Sequence, residues 1–268
     1  MEPMATIALR AARKAADIMV RSIDRLDTID VEEKAANDLV SQVDRDCEAS
    51  IIEALHTAYP EHGIIGEEHG EVYSSDAEYT WIIDPLDGTT NYLHGIPHFA
   101  VSIAARRGRQ LEHGVIVAPM VNEEFVASRG KGASLNGKRI RVRNRVRLDK
   151  AIIASGLPPA LQDERIAPYS RMLSDCTSAC AALRRSGSAA LDLAYVAAGR
   201  FDGVWEPGLK PWDVAAGAVL VREAGGFVGD MTGGDRFMED GHILAANPKL
   251  FKALVNLLRP NAHELLGQ

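Results

Sequence analysis

The sequence predicts an α/β (α+β) fold with two β-sheets. Segments of strand and helix character alternate along most of the 268 residues, which is typical of layered α/β architectures. Hydrophobic residues make up 46% of the chain, enough for a sizeable core, and neither an internal repeat nor a low-complexity linker divides it. The length fits one large domain or two intimately packed ones. We expect a single domain over 1–268, with approximate halves at 1–147 and 148–268.

Two helices are predicted near the N-terminus. Apolar residues recur at helical spacing from Pro3 to about Arg25, and charged side chains surround this apolar stripe. A second helical pattern runs from about Asp38 to Tyr59, and Pro60 is expected to end it because proline cannot continue a helix. Asp44 lies near the start of the second helix, where a solvated or capping charge is the simplest interpretation.

A buried strand that leads into a helix start carries the most distinctive chemistry. Residues 81–91 read W-I-I-D-P-L-D-G-T-T-N. The apolar residues indicate a short strand, and we expect it to end at Asp84 because Pro85 lacks the N–H that a sheet ladder needs. The D-G pair favours a turn, and T-T-N is typical of a helix start. Helix N-termini attract anions and carboxylates attract hard cations, so the stretch predicts a metal–phosphate site, with a plain surface turn as the alternative.

A pair of acids precedes this stretch. Residues 63–70 read G-I-I-G-E-E-H-G, in which a short apolar strand runs into Glu67 and Glu68. Adjacent residues of a strand point in opposite directions, so only one of these acids can face a given site. Two interpretations stay open: a polar hairpin tip, or a second carboxylate delivered next to Asp84.

Three strands and a basic run follow. The strands are expected at Phe99–Arg106, Leu111–Val117 and Glu123–Ser128, which are rich in Val, Ile, Phe and Ala. Residues 130–147 form the only basic run. A solvated hairpin is the simpler interpretation, and contact with an acidic partner or RNA is the alternative, because clustered arginines favour an approach to phosphates. No interleaved aromatic residue supports stacking on bases.

The second half continues the alternation of strands and helices. Its strands are expected at Ala151–Leu157, Arg200–Glu206, Gly225–Asp230 and His242–Ala246. Its helices are expected at Arg165–Asp175, Ser188–Ala198, Val214–Ala224 and Pro248–Leu258. Asp213 immediately precedes the third of these helices, where a helix cap and a site residue are equally good interpretations.

Composition excludes several classes of function. The net charge of −7 gives no global basic signature for nucleic acid. Three cysteines are too few and too scattered for a disulfide framework, and Cys176 and Cys180 are more simply two buried thiols than a metal pair. We find no signal-peptide pattern and no apolar run of about 20 residues, so we expect no membrane span and a cytoplasmic location.

Three motifs together resemble the inositol monophosphatase family. They are W-I-I-D-P-L-D-G-T-T-N at 81–91, G-E-E at 66–68 and P-W-D-V-A-A-G at 211–217, in the family's order. The resemblance runs over nearly the whole chain, and P-H-F-A-V-S-I-A at 97–104 is similar to the bacterial SuhB branch. It implies a layered αβαβα sandwich with the active site between its sheets. It also implies Mg²⁺-dependent hydrolysis of a phosphate monoester, first of all myo-inositol 1-phosphate.

The resemblance implies a set of metal ligands. Glu67, Asp84 and the backbone carbonyl of Leu86 would hold one Mg²⁺. Asp84, Asp87 and Asp213 would hold a second, and Glu67 with ordered waters could hold a weaker third. Oxygen ligands without Cys or His favour Mg²⁺ over zinc. Carboxylates at close range repel one another, so the site would need cations or protons.

It also implies catalytic and substrate-binding residues. The catalytic set comprises Glu67, Thr89 and Asp44, in which Asp44 orients Thr89 and Thr89 helps to align the attacking water. The N–H groups of Gly88 and Thr89 would bind phosphate, and Glu206 and Arg184 would bind hydroxyl groups of the alcohol. The substrate contacts implied in all are Leu86, Asp87, Gly88, Thr89, Arg184, Gly187, Ser188, Ala189, Glu206 and Asp213.

The same resemblance leaves other functions open. Proteins of the SuhB branch also bind RNA polymerase and Nus antitermination factors and assist ribosomal RNA synthesis, independently of phosphatase activity. The basic run at 138–147 and the Arg184-Arg185 pair are candidate contact surfaces for such partners. The metal motif is also shared by phosphatases acting on fructose 1,6-bisphosphate, histidinol phosphate or nucleotide phosphates. Homodimers are common in the family, and we expect one here.

Overall fold

The computed structural model describes residues 1–28, 31–35, 38–73, 77–157 and 163–266. The α-helices in these ranges are α1 Pro3–Ser22, α2 Gln42–Ala58, α3 Thr89–Leu93, α4 Asp163–Ala179, α5 Ala189–Ala197, α6 Pro211–Glu223, α7 Phe237–Asp240 and α8 Pro248–Leu266. The 3₁₀-helices are Ile23–Thr28, Pro119–Val121 and Leu148–Lys150. The strands are β1 Val31–Ala35, β2 Asp38–Ser41, β3 Gly63–Gly66, β4 Gly70–Val72, β5 Tyr79–Asp87, β6 Ala100–Arg107, β7 Gln110–Ala118, β8 Glu123–Ser128, β9 Gly132–Leu135, β10 Lys138–Ile140, β11 Ile152–Ser155, β12 Ala182–Arg184, β13 Gly203–Glu206, β14 Phe227–Gly229 and β15 Ile243–Ala246.

The strands form two main sheets and a separate two-stranded ribbon. The large sheet has eight strands in the order β10-β9-β8-β7-β6-β5-β3-β4, and only the β3–β5 pairing is parallel. The small sheet has five strands in the order β12-β11-β13-β15-β14, in which β11 runs parallel to both of its neighbours. Strands β1 and β2 pair only with each other among the described strands.

Three hydrophobic clusters define five layers. Alternate residues of β5 point to opposite faces of the large sheet, with Trp81 on one face and Ile82 on the other. Helices α1 and α2 cover the first face, and α5 and α6 cover the second. The latter two helices also pack on the small sheet through Val204, whereas α4 and α8 cover its opposite face through Trp205 and Leu244. The order is α, β, α, β, α, which confirms the predicted layered αβαβα fold.

Two predicted boundaries in the N-terminal part are wrong for a local reason. The second helix begins at Gln42 rather than near Asp38, because residues 38–41 form strand β2 instead. The Asp44 carboxylate fixes this start by accepting the Ser41 N–H at 2.9 Å, which satisfies a donor that the helix itself leaves free. The first helix ends at Ser22 and tightens into a 3₁₀-helix that reaches Thr28.

Several boundaries in the second half also differ from prediction, among them the start of α6, which lies at Pro211 rather than Val214. Strand β13 begins at Gly203 rather than Arg200, because the N–H groups of Arg200 and Phe201 still bond to the Tyr195 carbonyl at the end of α5. Helix α8 continues past Pro260 to Leu266 rather than ending at Leu258. Proline removes a helical hydrogen bond, but buried Ala262 and Leu265 keep the last turns packed in the cluster that α8 shares with α4 and the small sheet.

The basic run is used largely for internal contacts. Strands β9 and β10 form the predicted hairpin over 132–140, but the residues that follow lie against the second half of the chain. Arg143 Nε donates to the Gly199 carbonyl at 2.9 Å, and Arg145 Nε lies 3.0 Å from Asp202 Oδ1. Asp202 is 2% exposed and also accepts the Ile152 N–H. Residues 141–147 therefore fasten the large sheet to the small one.

We expect Asp202→Ala to lower the free energy of unfolding by about 2 kcal/mol, because a buried N–H and the Arg145 guanidinium both lose their acceptor. Urea denaturation followed by circular dichroism measures the change. Asp149→Ala is the control: it breaks a solvent-exposed pair with Arg147 and should leave the unfolding midpoint almost unchanged. Equal unfolding midpoints for the two variants would contradict the role given to Asp202.

Candidate active site

The site lies where β5 ends, and the end of that strand is irregular. β5 pairs with β6 as far as Asp84 opposite Ser102, and pairing resumes only with Asp87 opposite Ala100. The prediction that the strand ends at Asp84 is therefore wrong. The strand bulges around Pro85, so the missing proline N–H costs no ladder bond. The bulge thus lies between two carboxylates of the central motif, Asp84 and Asp87, which are the ladder residues on either side of it.

Asp84 and Asp87 are both buried, and each accepts hydrogen bonds from backbone N–H groups. Asp84 is 1% exposed, and its Oδ1 accepts the Leu86 N–H at 3.0 Å. Asp87 Oδ2 accepts the Ala190 N–H at 2.8 Å and the Ser188 hydroxyl. Since the last two groups belong to the start of α5, Asp87 connects the large sheet directly to the following helical layer.

Glu67 and Asp213 reach the same place from distant parts of the sequence. Glu67 follows β3, and its N–H donates to the Ile83 carbonyl of β5 at 3.2 Å. Asp213 lies in the first turn of α6, where its Oδ2 accepts the Lys210 N–H at 2.7 Å. It therefore caps its helix, and its charge also acts on the carboxylates of β5, while its role as a site residue stays a prediction. Of the two adjacent acids, Glu67 is the one whose charge acts on the pKa of Asp84.

Burial and mutual repulsion shift the protonation of these groups. Burial, reinforced by the charges of Glu67, Asp87 and Asp213, raises the pKa of Asp84 well above its ordinary value. Burial raises the pKa of Asp87 to about 6, although the hydrogen bonds from α5 oppose this shift. For Asp213, burial and then the charge of Asp87 raise the pKa to about 7. The cluster therefore has an excess of negative charge that either protons or cations can offset.

The donor set fits a hard cation such as Mg²⁺. All four carboxylates and the Leu86 carbonyl are oxygen donors, which suit Mg²⁺ better than zinc. In the part of the chain that the structure describes, no three His, Cys, Asp or Glu side chains are already gathered in a metal-binding arrangement. Burial and the charges of neighbouring acids raise the pKa values of Asp84 and Asp213, which favours either protonation or a bound cation.

Thr89 and Asp44 form a second polar contact beside the carboxylates. The Thr89 hydroxyl lies 3.0 Å from Asp44 Oδ1 and 3.1 Å from the Leu86 carbonyl oxygen. Asp44 is buried on α2, and burial raises its pKa despite hydrogen bonds from Ser41 and Thr89. The structure thus brings the predicted pair Asp44 and Thr89 into contact, with the carbonyl of Leu86 on the other side of the hydroxyl.

Gly88 and Asn91 determine how the second half of the chain meets this motif. Gly88 has φ of +99°, and a Cβ there would lie 3.1 Å from the carbonyl oxygens of both Gly187 and His98. Asn91 Nδ2 lies 2.7 Å from the His98 carbonyl oxygen and 2.9 Å from that of Ser186. Asn91 was missed as a site residue in the sequence, although it ends the central motif. It holds the 186–188 segment against that motif.

The predicted alcohol-binding residues are only partly brought together. Ser188 contacts Asp87, whereas Glu206 lies at the end of β13. Burial raises the pKa of Glu206 well above its ordinary value, and the charge of Arg185 opposes this. The Arg184 guanidinium instead donates to the adjacent Leu183 carbonyl at 3.0 Å. Its predicted contact with substrate hydroxyls stays a prediction.

One further acid near the site was not predicted. Asp192 is 1% exposed on α5, and its Oδ1 has no hydrogen-bond partner among the described residues. Burial raises the pKa of Asp192 to about 8, and its charge acts in turn on the pKa of Glu206. The surrounding sequence S-A-A-L-D-L-A is typical of an ordinary buried helix, so only the fold reveals that this acid faces the site.

The fold and the carboxylate cluster define a class of protein, and comparison with known proteins agrees with it. A profile of the inositol monophosphatase family matches residues 1–264. The chain belongs to the inositol monophosphatase family. Among solved structures, it is similar to inositol monophosphatase from Anabaena (Nostoc), with 36% identity and a TM-score of 0.83 over 95% of this chain and 94% of that one.

Within this family, the chain is similar to SuhB proteins. The chain is 53% identical to Nus factor SuhB of Pseudomonas aeruginosa over 264 residues, which cover 97% of each chain. It is 47% identical to Nus factor SuhB of Escherichia coli strain K12 over 266 residues, 99% of each. The crystal structure of Bartonella henselae suhB superposes with a TM-score of 0.93 at 42% identity, covering 96% of this chain and 99% of that one. In the described ranges, no helix is long and apolar enough to span a membrane.

The raised pKa of Asp84 predicts that Asp84→Asn stabilises the metal-free protein at high pH. The folded state holds a proton that the unfolded chain loses above about pH 4, so the wild type loses stability as pH rises from there towards the folded pKa. Neutral Asn keeps the Leu86 N–H bond without this loss. Each 1 kcal/mol gained in this way should raise Tm by roughly 2–4 °C for a chain of about this size.

Thermal unfolding in metal-free buffer at pH 5 and pH 8 measures this effect. The Tm advantage of Asp84→Asn over wild type should be larger at pH 8 than at pH 5. Asp149→Asn, at an exposed site, should give the same Tm difference from wild type at both pH values. If Asp84→Asn were less stable than wild type at pH 8, the folded protein would stabilise the ionised Asp84 carboxylate. That result would contradict the raised pKa.

Proposed function

We propose that the protein is a Mg²⁺-dependent phosphatase that hydrolyses myo-inositol 1-phosphate to inositol and phosphate. The observation that carries the proposal is the convergence of Glu67, Asp84, Asp87 and Asp213, acids from three separate segments, on the end of β5. Mutual repulsion among four carboxylates favours the binding of a cation at neutral pH. Membership of the inositol monophosphatase family supports the same chemistry.

The carboxylates and one carbonyl would hold the metal ions. Glu67, Asp84 and the Leu86 carbonyl would bind one Mg²⁺, and Asp84, Asp87 and Asp213 a second. Glu67 with ordered waters would hold a weaker third. When bound, Mg²⁺ supplies Lewis-acid chemistry, which lowers the pKa of a water molecule and stabilises the departing alkoxide. Asp87 is held rigid for this task by its hydrogen bonds to the start of α5.

The protein groups around these ligands would align the reaction. The Thr89 hydroxyl, 3.0 Å from Asp44 Oδ1, would orient the attacking water by hydrogen bonding while Asp44 fixes its direction. The N–H groups of Gly88 and Thr89 would bind the phosphoryl oxygens, because they lie at the start of α3, directly after the carboxylates of β5. Water then displaces the alcohol in line, with no covalent enzyme intermediate.

The second half of the chain would recognise the alcohol. Gly187, Ser188 and Ala189 would face the substrate ring with their backbone, since the Ser188 hydroxyl already donates to Asp87. Glu206 would bond to ring hydroxyls, together with Arg184. Leu86, Asp87 and Asp213 would line the site beside the phosphate. These residues, rather than the metal ligands, would distinguish inositol from other sugar or nucleotide phosphates.

We expect Mg²⁺-dependent phosphate release from myo-inositol 1-phosphate, and a loss of at least about 100-fold in kcat for Asp84→Asn, because that carboxylate would be a ligand of both metal ions. A phosphate-release assay with and without Mg²⁺ measures this. Asp149→Asn should retain wild-type turnover. A folded wild type that binds Mg²⁺ but leaves this ester intact would redirect the substrate assignment to fructose 1,6-bisphosphate, histidinol phosphate or a nucleotide phosphate, to be assayed alongside.

A second candidate function comes from the relatives named Nus factor SuhB, which match over nearly the entire chain. We propose that this protein also binds RNA polymerase and Nus antitermination factors and supports ribosomal RNA synthesis, as a cytoplasmic homodimer. The side chains of Arg143 and Arg145 are held by internal contacts, so exposed Lys138 and Arg139 are the better candidates within the basic run. Arg184 is also exposed.

Pull-down with the tagged chain separates the two functions. RNA polymerase and Nus factors should be captured equally by wild type and by the catalytically disabled Asp84→Asn. Replacing Lys138 and Arg139 together by Glu should reduce capture several-fold while phosphate release persists. Capture that is lost with Asp84→Asn would tie binding to the metal site, and absence of capture by the wild type would refute this second function.

A further inference from the structure

Glu48 is a buried carboxylate that the mechanism above does not use. It is 0% exposed on α2, one turn after Asp44, and faces the turn that follows β3. Its Oε2 accepts the His69 N–H at 2.9 Å and also contacts His69 Nδ1. Its Oε1 accepts the Glu68 N–H at 3.2 Å. Both oxygens are thus used by the two residues that come directly after Glu67.

The residue before Glu67 packs closely against the same Glu48 carboxylate. A Cβ at Gly66 would lie 1.9 Å from Glu48 Oε1, so only glycine leaves room for Glu48 at this position. The N–H of Glu67 itself donates to the Ile83 carbonyl of β5. The backbone on both sides of Glu67 is therefore fixed, on one side by β5 and on the other by Glu48.

Bonds of this kind are strong and directional. A carboxylate that accepts backbone N–H groups away from water makes charge-assisted hydrogen bonds, which are about twice as strong as neutral ones. Because both of its oxygens accept these hydrogen bonds, Glu48 can affect the site only through Glu68 and His69, the residues that donate them. In a helix, residues four apart lie on one face, so α2 directs both Asp44 and Glu48 towards the site. Asp44 contacts Thr89, and Glu48 holds the turn that presents Glu67.

We propose that Glu48 is a positioning residue that fixes Glu67 in the geometry needed to bind Mg²⁺. This inference rests on the proposed metal-dependent function. According to this proposal, helix α2 sets the relative positions of the Thr89 hydroxyl, which orients water, and of the metal ligand Glu67. Loss of Glu48 therefore weakens metal binding first, and turnover at saturating metal much less.

The test uses Glu48→Gln in the full-length protein. Gln keeps the size that fits beside Gly66, but its NH₂ group cannot accept an N–H. We expect Mg²⁺ affinity, measured by isothermal titration calorimetry, to fall about 10- to 100-fold, as is usual when a residue supporting a metal ligand is lost. The kcat at saturating Mg²⁺ should stay within a few-fold of wild type. Glu53→Gln, an exposed acid on the same helix, should change neither.

A double-mutant cycle distinguishes positioning from general destabilisation. In a Glu67→Gln background, Glu48→Gln should cause no further loss of Mg²⁺ affinity, because the ligand that it positions is already disabled. An equal loss in both backgrounds would overturn the inference. If Glu48→Gln does not fold, His69→Ala removes one contact only and should weaken Mg²⁺ binding a few-fold. Unchanged affinity in His69→Ala would count against the proposal.

Different results would refute the metal-dependent function and the positioning role of Glu48. A wild type that binds no Mg²⁺ in calorimetry would overturn the metal-dependent function and the role of Glu48 with it. A wild type that binds Mg²⁺ and hydrolyses its ester, beside a Glu48→Gln variant with the same affinity, would overturn the inference alone. Hydrogen exchange supplies a readout that needs no metal: the amides of Glu68 and His69 should exchange faster in Glu48→Gln, and unchanged protection would refute the contacts.

Discussion

The structure depends on holding several acids out of water at the junction of two sheets. Burial and repulsion raise the pKa values of Asp84, Asp87 and Asp213, so the surrounding protein must hold these acids in place against that repulsion. It does so with backbone N–H groups from Leu86, Ala190 and Lys210. The site is thus costly for folding and favourable for cation binding, which is the usual compromise between stability and activity.

The four acids of the cluster come from three different parts of the fold. The end of β5 carries two of them, the first turn of α6 carries a third, and the turn after β3 carries the fourth. Helix α2 supports the site from behind through Asp44, which contacts Thr89. Asn91 draws the 186–188 segment towards the central motif. The geometry therefore comes from packing between layers and not from any single loop.

Much of this could be predicted from the sequence, and the reasons for the failures are physical. Apolar periodicity indicates most helices and strands, and the motifs contain the acids that the fold brings together at the end of β5. The bulge after Asp84 was missed because proline usually ends a strand, whereas here the ladder resumes at Asp87. Asp192 and Glu48 lie within helical patterns where an acid suggests a solvated face. Only the three-dimensional packing shows that both are buried, because their burial depends on segments distant in sequence.

The contact between Asp87 and Ser188 joins residues 101 positions apart, and this separation affects how the protein is made. At typical rates of synthesis, Asp87 leaves the ribosome roughly 5–20 s before the residues that bond to it. During that interval the acids of β5 have neither α5 nor α6 to shield them from solvent. The nascent first half is thus left with an uncovered, acidic sheet face, and the covering of that face is a late event that only the C-terminal half can complete.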